Sequence, residues 1–175
     1  GRNFDDILRN KRTMQKIYDA DYSFAKPPNK SRLTAVQGDQ SAVLMWDNVA
    51  EFSRDPIYGT DFEGYMIYRA TDPSFNSIKT ITDAFGNPIL WQPIAQFDLD
   101  NGLKGPHPVQ IGETGAVFNT GTDSGLRYYY KDTGLDNGRS YYYALVPYDA
   151  GYDLDFFDRG ISTRDKLTPI SPSEA

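Results

Sequence analysis

The sequence predicts an all-β fold, a two-sheet β-sandwich preceded by one helix. Three observations support this prediction. Apolar and polar residues alternate over several short segments, turn signals separate those segments, and the 175 residues include 13 Tyr, 15 Gly and 11 Pro. Aromatic residues favour strands, whereas Gly and Pro favour the turns between them. A hydrophobic content of 39% indicates that the chain folds around a core.

The charge and the missing residue types argue against several classes of function. The chain carries a net charge of -6, whereas nucleic-acid binding depends on Lys and Arg that neutralise phosphates. It contains no Cys, which excludes disulfides and thiolate metal sites. It has no apolar run of the roughly 20 residues that span a membrane, and no signal peptide. Because the chain begins with Gly1-Arg2, we interpret it as a processed or excised piece of a longer protein, for which a missing signal peptide means little.

Residues 3 to 19 are predicted to form an amphipathic helix, and residues 1 to 26 to form this helix and a linker. Asn3 is placed as the N-cap. One short amphipathic helix is marginal alone, so its apolar face should rest either on this chain's own sandwich or on another subunit or domain. The apolar residues recur at helical spacing, and the first four are candidate partner contacts: Phe4, Ile7, Leu8, Met14, Ile17 and Tyr18.

The sandwich is predicted to begin near Pro27, after a Pro-rich boundary, and to end near residue 172. Trp46 is expected in the core, and Tyr65 and Ile67 are expected to point inward. Residues 78 to 82 are expected to extend the third strand or to pair beside it. Strands are predicted over residues 32 to 37, 41 to 47, 64 to 70, 89 to 97, 126 to 132, 141 to 148 and 161 to 167.

Two further features shape this domain. Residues 98 to 125 form a Gly-rich insertion that is too long to lack structure, so we expect a small hairpin over one sheet edge. After the Asn137-Gly138 turn, residues 141 to 146 are apolar on both faces, which predicts an interior strand. Pro147 lacks a backbone donor, so this strand is expected to bend or to pair loosely there.

These residues resemble a known fold. The spacing from Leu135 through the Asn137-Gly138 turn to Tyr141 resembles the fibronectin type III pattern, in which a leucine, a turn and a tyrosine form the corner that leads into the sixth strand. The stretch Asp-Phe-Glu-Gly-Tyr-Met-Ile-Tyr-Arg-Ala-Thr-Asp-Pro-Ser-Phe, residues 61 to 75, is similar to a version of that fold in large secreted or surface-attached bacterial proteins. The resemblance implies a fibronectin type III or immunoglobulin-like β-sandwich over residues 27 to 172, located outside the cell or at its surface.

The loop over residues 149 to 160 supplies two sets of candidate site residues. Carboxylate oxygens are the preferred ligands of Ca²⁺, and four of them here fit one ion if the loop folds back, although a solvated acidic loop is the alternative. These carboxylates belong to Asp149, Asp153, Asp155 and Asp158. Large apolar residues in the same loop either cover the end of the core or bind a partner. They are Tyr152, Leu154, Phe156 and Phe157.

No catalytic constellation is evident, and no cofactor is required. His107 is the single histidine, with no nucleophile motif beside it. Residues 98 to 109 begin like a calcium loop but lack the acid that an EF-hand needs at its last position. The sequence therefore predicts a non-catalytic structural or protein-protein interaction module of an extracellular or cell-surface assembly. The alternative is a carbohydrate-binding or accessory module of a secreted glycan-active enzyme, in which Trp91 and Tyr58 are the first candidates to stack on a glycan.

Overall fold

A computed structural model describes residues 4–19, 21, 25–110, 114–153 and 168–169. The predicted all-β fold is confirmed, because antiparallel strands dominate this part of the chain. One α-helix, α1, spans Phe4–Asp19. The strands are β1 Leu33–Gly38, β2 Ser41–Trp46, β3 Phe62–Ala70, β4 Ile81–Thr82, β5 Pro88–Leu90, β6 Ala95–Asp98, β7 Pro106–Gln110, β8 Val117–Asn119, β9 Tyr129–Thr133, β10 Tyr142–Asp149, β11 Tyr152–Asp153 and β12 Thr168–Pro169. Two short 3₁₀ helices span Val49–Phe52 and Asn76–Ile78.

Two three-stranded antiparallel sheets form the body of the domain. The first has the order β1-β2-β9 and the second the order β10-β3-β6. Three two-stranded pairs accompany them, β4 with β5, β7 with β8, and β11 with β12. The predicted first two strands and their turn at residues 38 to 40 correspond to β1 and β2, which pair from Leu33 opposite Trp46 to Gly38 opposite Ser41.

The core lies between the two main sheets. Leu44 and Trp46 come from β2, and Tyr65 and Ile67 come from β3, all within one cluster of buried side chains. The ring centroids of Trp46 and Tyr65 are 5.9 Å apart, and Phe97 stacks on Trp46 at 6.1 Å. Trp46 is therefore a core residue, and Tyr65 and Ile67 point inward, as the alternation predicts.

The opposite face of β3 is also buried. Met66 and Tyr68 form a second cluster with Tyr148, against which Phe75 and Ile78 pack. Every residue of β3 except Arg69 is buried, so this central strand has no solvated face. This outer face is covered by the connections between β3 and β6 and between β6 and β9.

Two strand predictions are wrong in detail. Residues 78 to 82 neither extend β3 nor pair beside it; Ile81 and Thr82 pair with β5 in a separate hairpin. The strand predicted over residues 89 to 97 is two strands, β5 and β6. Pro93 lies between them, and because it has no N–H it cannot continue a ladder of hydrogen bonds. The Ile94 N–H instead donates to the Ile67 carbonyl, and β6 begins at the next residue.

The turn before β10 lies at Asn137-Gly138, as the sequence predicts, and Gly138 has a positive φ of 82°. The Tyr141 hydroxyl accepts a hydrogen bond of 3.0 Å from the Asp136 N–H, and Leu135 is buried beneath the turn. Within the described residues β10 pairs with β3 alone, and residues 161 to 167, predicted as the next strand, lie outside them. Pro147 stays in register opposite Tyr65, contrary to the loose pairing expected there, and the register of β10 on β3 shifts one residue later, between Tyr148 and Asp149.

A hairpin lies within residues 98 to 125, made by β7 and β8. It runs beside the edge strand β6, where the Gln96 side-chain amide donates to the Asn119 carbonyl at 2.8 Å. No helix among the described residues is long and apolar enough to cross a membrane.

Candidate functional site

A groove opens on the outer side of the second sheet, between the β4-β5 hairpin and the β7-β8 hairpin. Its volume is about 210 Å³. Among the described residues, three aromatic and three amide side chains line it, the others are aliphatic, Met or Pro, and none is charged. We call it the Trp91 groove. The aromatic and amide residues are Tyr68, Trp91, Phe118, Gln92, Gln96 and Asn119.

The floor of the Trp91 groove is fixed by a chain of hydrogen bonds. Gln96 Nε2 donates both to the Asn119 carbonyl and to the Tyr148 hydroxyl, each at 2.8 Å. That hydroxyl in turn donates to the Thr120 carbonyl at 2.6 Å. Gly64 makes room for it, because a Cβ at this position would lie 2.9 Å from the Tyr148 hydroxyl. Burial raises the pKa of Tyr148 far above its usual range, so the hydroxyl keeps its proton.

Trp91 and Tyr58, the two predicted sugar-stacking residues, do not share a site. Trp91 is 38% exposed at the rim of the groove, with Lys79 Nζ 4.9 Å from its ring centroid. Tyr58 lies outside the groove lining, and its ring faces Lys16 Nζ of α1 at 5.1 Å.

Helix α1 turns one apolar face to solvent. Ile7, Met14 and Tyr18 are 60%, 66% and 63% exposed. At 100° per residue these three positions, together with the exposed Lys11, fall within one narrow arc. Lys16 lies on the opposite side of the helix, half-buried against Tyr58. Of the other predicted contacts, the side chains of Phe4 and Leu8 lie outside the described residues, as does Asn3.

The predicted calcium loop is described only at its start. Asp149 is buried, and its Oδ1 accepts a hydrogen bond of 3.0 Å from the Gly151 N–H, which closes the turn after β10. The side chain of Asp153 and all of Asp155 and Asp158 lie outside the described residues. Elsewhere in the described part of the chain, no three His, Asp or Glu side chains are grouped so as to hold a metal ion.

Of the predicted aromatic contact residues in this loop, Tyr152 is the one that lies among the described residues. The ring of Tyr152 is half-buried and lies 4.9 Å from the ring of His107. Phe156 and Phe157 lie outside the described residues. Tyr152 thus contacts the hairpin insertion.

His107 is held as a structural residue. It is buried, its Nδ1 accepts from the Val109 N–H at 3.1 Å, and its Nε2 lies 2.8 Å from the Gly151 carbonyl. Because Nδ1 accepts, the proton of the neutral ring is on Nε2, where it is donated to that carbonyl. Both nitrogens are therefore engaged with the backbone, and neither is presented to a substrate.

Two buried carboxylates beside the insertion, Asp98 and Glu63, differ in how many hydrogen bonds they accept. Asp98 accepts from the N–H groups of residues 122, 123 and 124 at 2.6 to 3.0 Å and from the Ser124 hydroxyl at 2.6 Å. Gly121 packs against this carboxylate with φ of 140°, and a Cβ there would overlap it. Glu63 is equally buried, but Asn101 alone donates to it, at 2.9 Å, and its Oε1 has no partner among the described residues. Burial therefore raises the pKa of Glu63 to about 8.

Neither carboxylate was predicted from the sequence. A signal existed for Glu63, because it is the one acid in a strand whose other residues, apart from Arg69, are apolar, aromatic or Gly. Such an acid is either paired or neutral when it is buried. For Asp98 there was no comparable signal, since its donors lie 24 to 26 residues away. No protein-family model, curated protein or solved structure matches this chain.

Proposed function

We propose that the chain is a non-catalytic interaction module with a fibronectin type III-like fold, part of a larger extracellular or cell-surface assembly of bacterial type. Two features support this choice of fold. The Tyr141 contact with the backbone of Asp136 has the form of a tyrosine corner. The sheet orders β1-β2-β9 and β10-β3-β6 have the connectivity of an A-B-E sheet facing a sheet in which strands C and F pair.

The exposed apolar face of α1 carries the proposed function. Ile7 and Met14 are long apolar side chains more than half exposed, on a helix whose opposite side contacts the domain through Lys16. Helical stability in proteins comes mostly from burial of one apolar face, and exposed contiguous apolar surface marks interaction sites. We infer that this face is buried against another protein domain or subunit.

The charge of the helix fits a second copy of this chain as the partner. Residues 4 to 19 hold four basic and three acidic side chains, whereas the whole chain has a net charge of -6. The rest of the molecule is therefore acidic, and an acidic surface attracts a basic helix. The partner surface that suits α1 is thus an acidic subunit or domain of this kind.

The test is the solution mass of the full chain, measured by light scattering beside two variants. Ile7→Asp places a charge on the apolar face and is expected to weaken association at least tenfold, since burying an unpaired charge is unfavourable. Lys11→Gln changes the net charge by the same amount on the same face without removing apolar surface, so it should weaken association much less than Ile7→Asp does.

Other outcomes decide against the proposal. A full chain that stays monomeric at about 0.1 mM, a concentration at which a micromolar Kd would show, rules out docking onto a second copy. Equal effects of Ile7→Asp and Lys11→Gln would show that charge, not apolar burial, drives association. Repeating the measurement with Ca²⁺ and with chelator tests the four-Asp calcium site, because chelator should dissociate only an assembly that needs the ion.

A further inference from the structure

We propose that the Trp91 groove is a binding site for a neutral saccharide. This site is separate from the docking face of α1, and neither depends on the other. The proposal locates the carbohydrate-binding function, the alternative given by the sequence, in this groove. Trp91 lines the groove and Tyr58 does not.

The lining of the groove selects against charged ligands. Apart from the Tyr68 hydroxyl its polar side chains are amides, and among the described residues no acidic or basic side chain lines it, although the whole chain is strongly acidic. An uncharged site gives no electrostatic compensation for desolvating a phosphate, sulfate or carboxylate. Its occupant should therefore be uncharged and partly apolar.

The aromatic residues provide a surface for a sugar ring. Trp91 is exposed at the rim, Phe118 is half-buried, and Tyr68 is buried at the base. The face of an aromatic ring is negative, and the axial C–H groups of a sugar ring are weakly positive, so the two surfaces attract. Lys79 Nζ lies over one face of the Trp91 ring, 4.9 Å from its centroid, and Lys79 does not line the groove, so the opposite face is the one proposed to stack on the sugar.

The amides favour a ligand with hydroxyl donors. Both hydrogens of Gln96 Nε2 are used inside the protein, because the Tyr148 hydroxyl must accept from Gln96 while donating to Thr120. Gln96 Oε1 has no partner among the described residues, and it is left as a fixed acceptor. A saccharide hydroxyl can donate to it, whereas proline, the residue that aromatic grooves otherwise recognise in peptides, has no N–H.

The size of the groove fits one ring of a saccharide. Its volume of about 210 Å³ is below the roughly 300 to 1,000 Å³ of pockets that bury a drug-sized molecule. Gln92 and Asn119 carry exposed amides at its rim, where they can contact the hydroxyls of that ring or of its neighbour. The ligand is thus recognised at a single unit, which can belong to a longer chain.

The experiment uses the full chain, with probes from three classes. These are neutral tetrasaccharides (cello-, xylo-, manno- and malto-oligosaccharides), an acidic oligogalacturonide and a decaproline peptide. Binding is followed by the indole N–H signal of Trp91 in ¹⁵N spectra, at ligand concentrations of roughly 10 mM, which reveal a Kd as weak as about 1 mM. At least one neutral oligosaccharide is expected to shift this signal, and the acidic one and the peptide are not.

Variants separate the groove from the rest of the surface. Trp91→Ala and Gln92→Ala should each weaken saccharide binding, the first by at least tenfold. Because Trp91→Ala has no Trp91 indole signal, its binding is followed by the Asn119 side-chain amide signals in the same spectra. Phe52→Ala removes a more exposed aromatic ring outside the groove, and it should leave binding unchanged. Urea unfolding of Trp91→Ala checks that the variant is folded, and the unchanged spectrum of Gln92→Ala provides a second check.

Three results would overturn the proposal. The first is no shift with any neutral saccharide, and the second is binding that Trp91→Ala and Phe52→Ala weaken equally. The third is binding of decaproline alone with dependence on Trp91, which would make the groove a peptide site. Because none of these measurements involves association, the outcome is independent of the test on α1.

Discussion

The two faces of the β10-β3-β6 sheet are buried by different means. The inner face packs on the other sheet through Leu44, Trp46, Tyr65 and other apolar side chains, and its stability comes from shape and apolar area. The outer side has its own small apolar cluster, but the insertion is attached there by polar groups: Gln96, Tyr148, Asp98 and Glu63. The free energy of unfolding should therefore depend on side-chain volume at the inner face. At the outer side it should depend on hydrogen bonds and pH.

Loss of volume at the inner face should have the largest effect. Leu44 is fully buried in the core cluster, and Leu44→Ala is expected to lower the free energy of unfolding by about 3 kcal/mol. Met45, the next residue of β2, is 41% exposed on the other side of the strand. Met45→Ala is the matched control, with an expected cost below about 1 kcal/mol. Urea unfolding compares the two, and equal losses would contradict a core between the sheets.

The pH dependence of the free energy of unfolding should come from the outer side, through the titration of Glu63. Its pKa is about 8 in the folded chain and close to 4.5 when unfolded, so between these values the native state binds more protons. Stability contributed by the protonated group is complete below about pH 4.5 and is lost as the pH rises through 8. The expected slope is at most about 1.4 kcal/mol per pH unit.

Glu63→Gln should remove this slope, since the amide stays neutral at every pH. Urea unfolding of the two proteins is compared across about pH 5 to 8, the window in which the proton counts differ. Asp100→Asn, which removes an exposed carboxylate nearby, serves as the control and should keep the slope. If the free energy of unfolding changes with pH in the same way for wild type and Glu63→Gln, Glu63 is ionised in the native state.

The smallest effect should come from a single hydroxyl on the outer side. Tyr148→Phe removes the donor to Thr120 and the acceptor for Gln96, at an expected cost of about 1 kcal/mol. The loss should be local, so the Thr120 N–H, which donates to Gly105 at the base of the insertion, should exchange faster with solvent. Tyr142→Phe, at an exposed position of the same strand, should change neither quantity.

Sequence reasoning succeeded on the inner face for a physical reason. Alternation reports which side of a strand is buried, and in β2 the buried residues Ala42, Leu44 and Trp46 are the alternating apolar ones. The turn at Asn137-Gly138 was also predictable, because its residues are adjacent in the chain. Local patterns of this kind need no knowledge of the rest of the fold.

The outer side was largely beyond such reasoning. Its contacts join residues that are far apart along the chain, such as Gln96 with Tyr148, and a hydrogen bond leaves no periodic trace in the sequence. The Trp91 groove combines four separate segments, so Trp91 could be proposed for stacking while its neighbours could not. Pro93 did carry a local signal, a missing donor, from which the break between β5 and β6 could have been predicted.

The hydrogen bonds between Asp98 and residues 122 to 124 also indicate how this chain can be redesigned. The Asp98 N–H lies 3.2 Å from the Ser124 hydroxyl and its carboxylate binds the backbone of residues 122 to 124, so the insertion leaves and re-enters the domain at nearly one point. A segment with adjoining ends is a natural grafting position, where a foreign loop can replace the native one without moving the flanking strands. Residues 99 to 120 therefore form a replaceable segment, and any graft should keep Asp98 and residues 121 to 124, which surround its carboxylate.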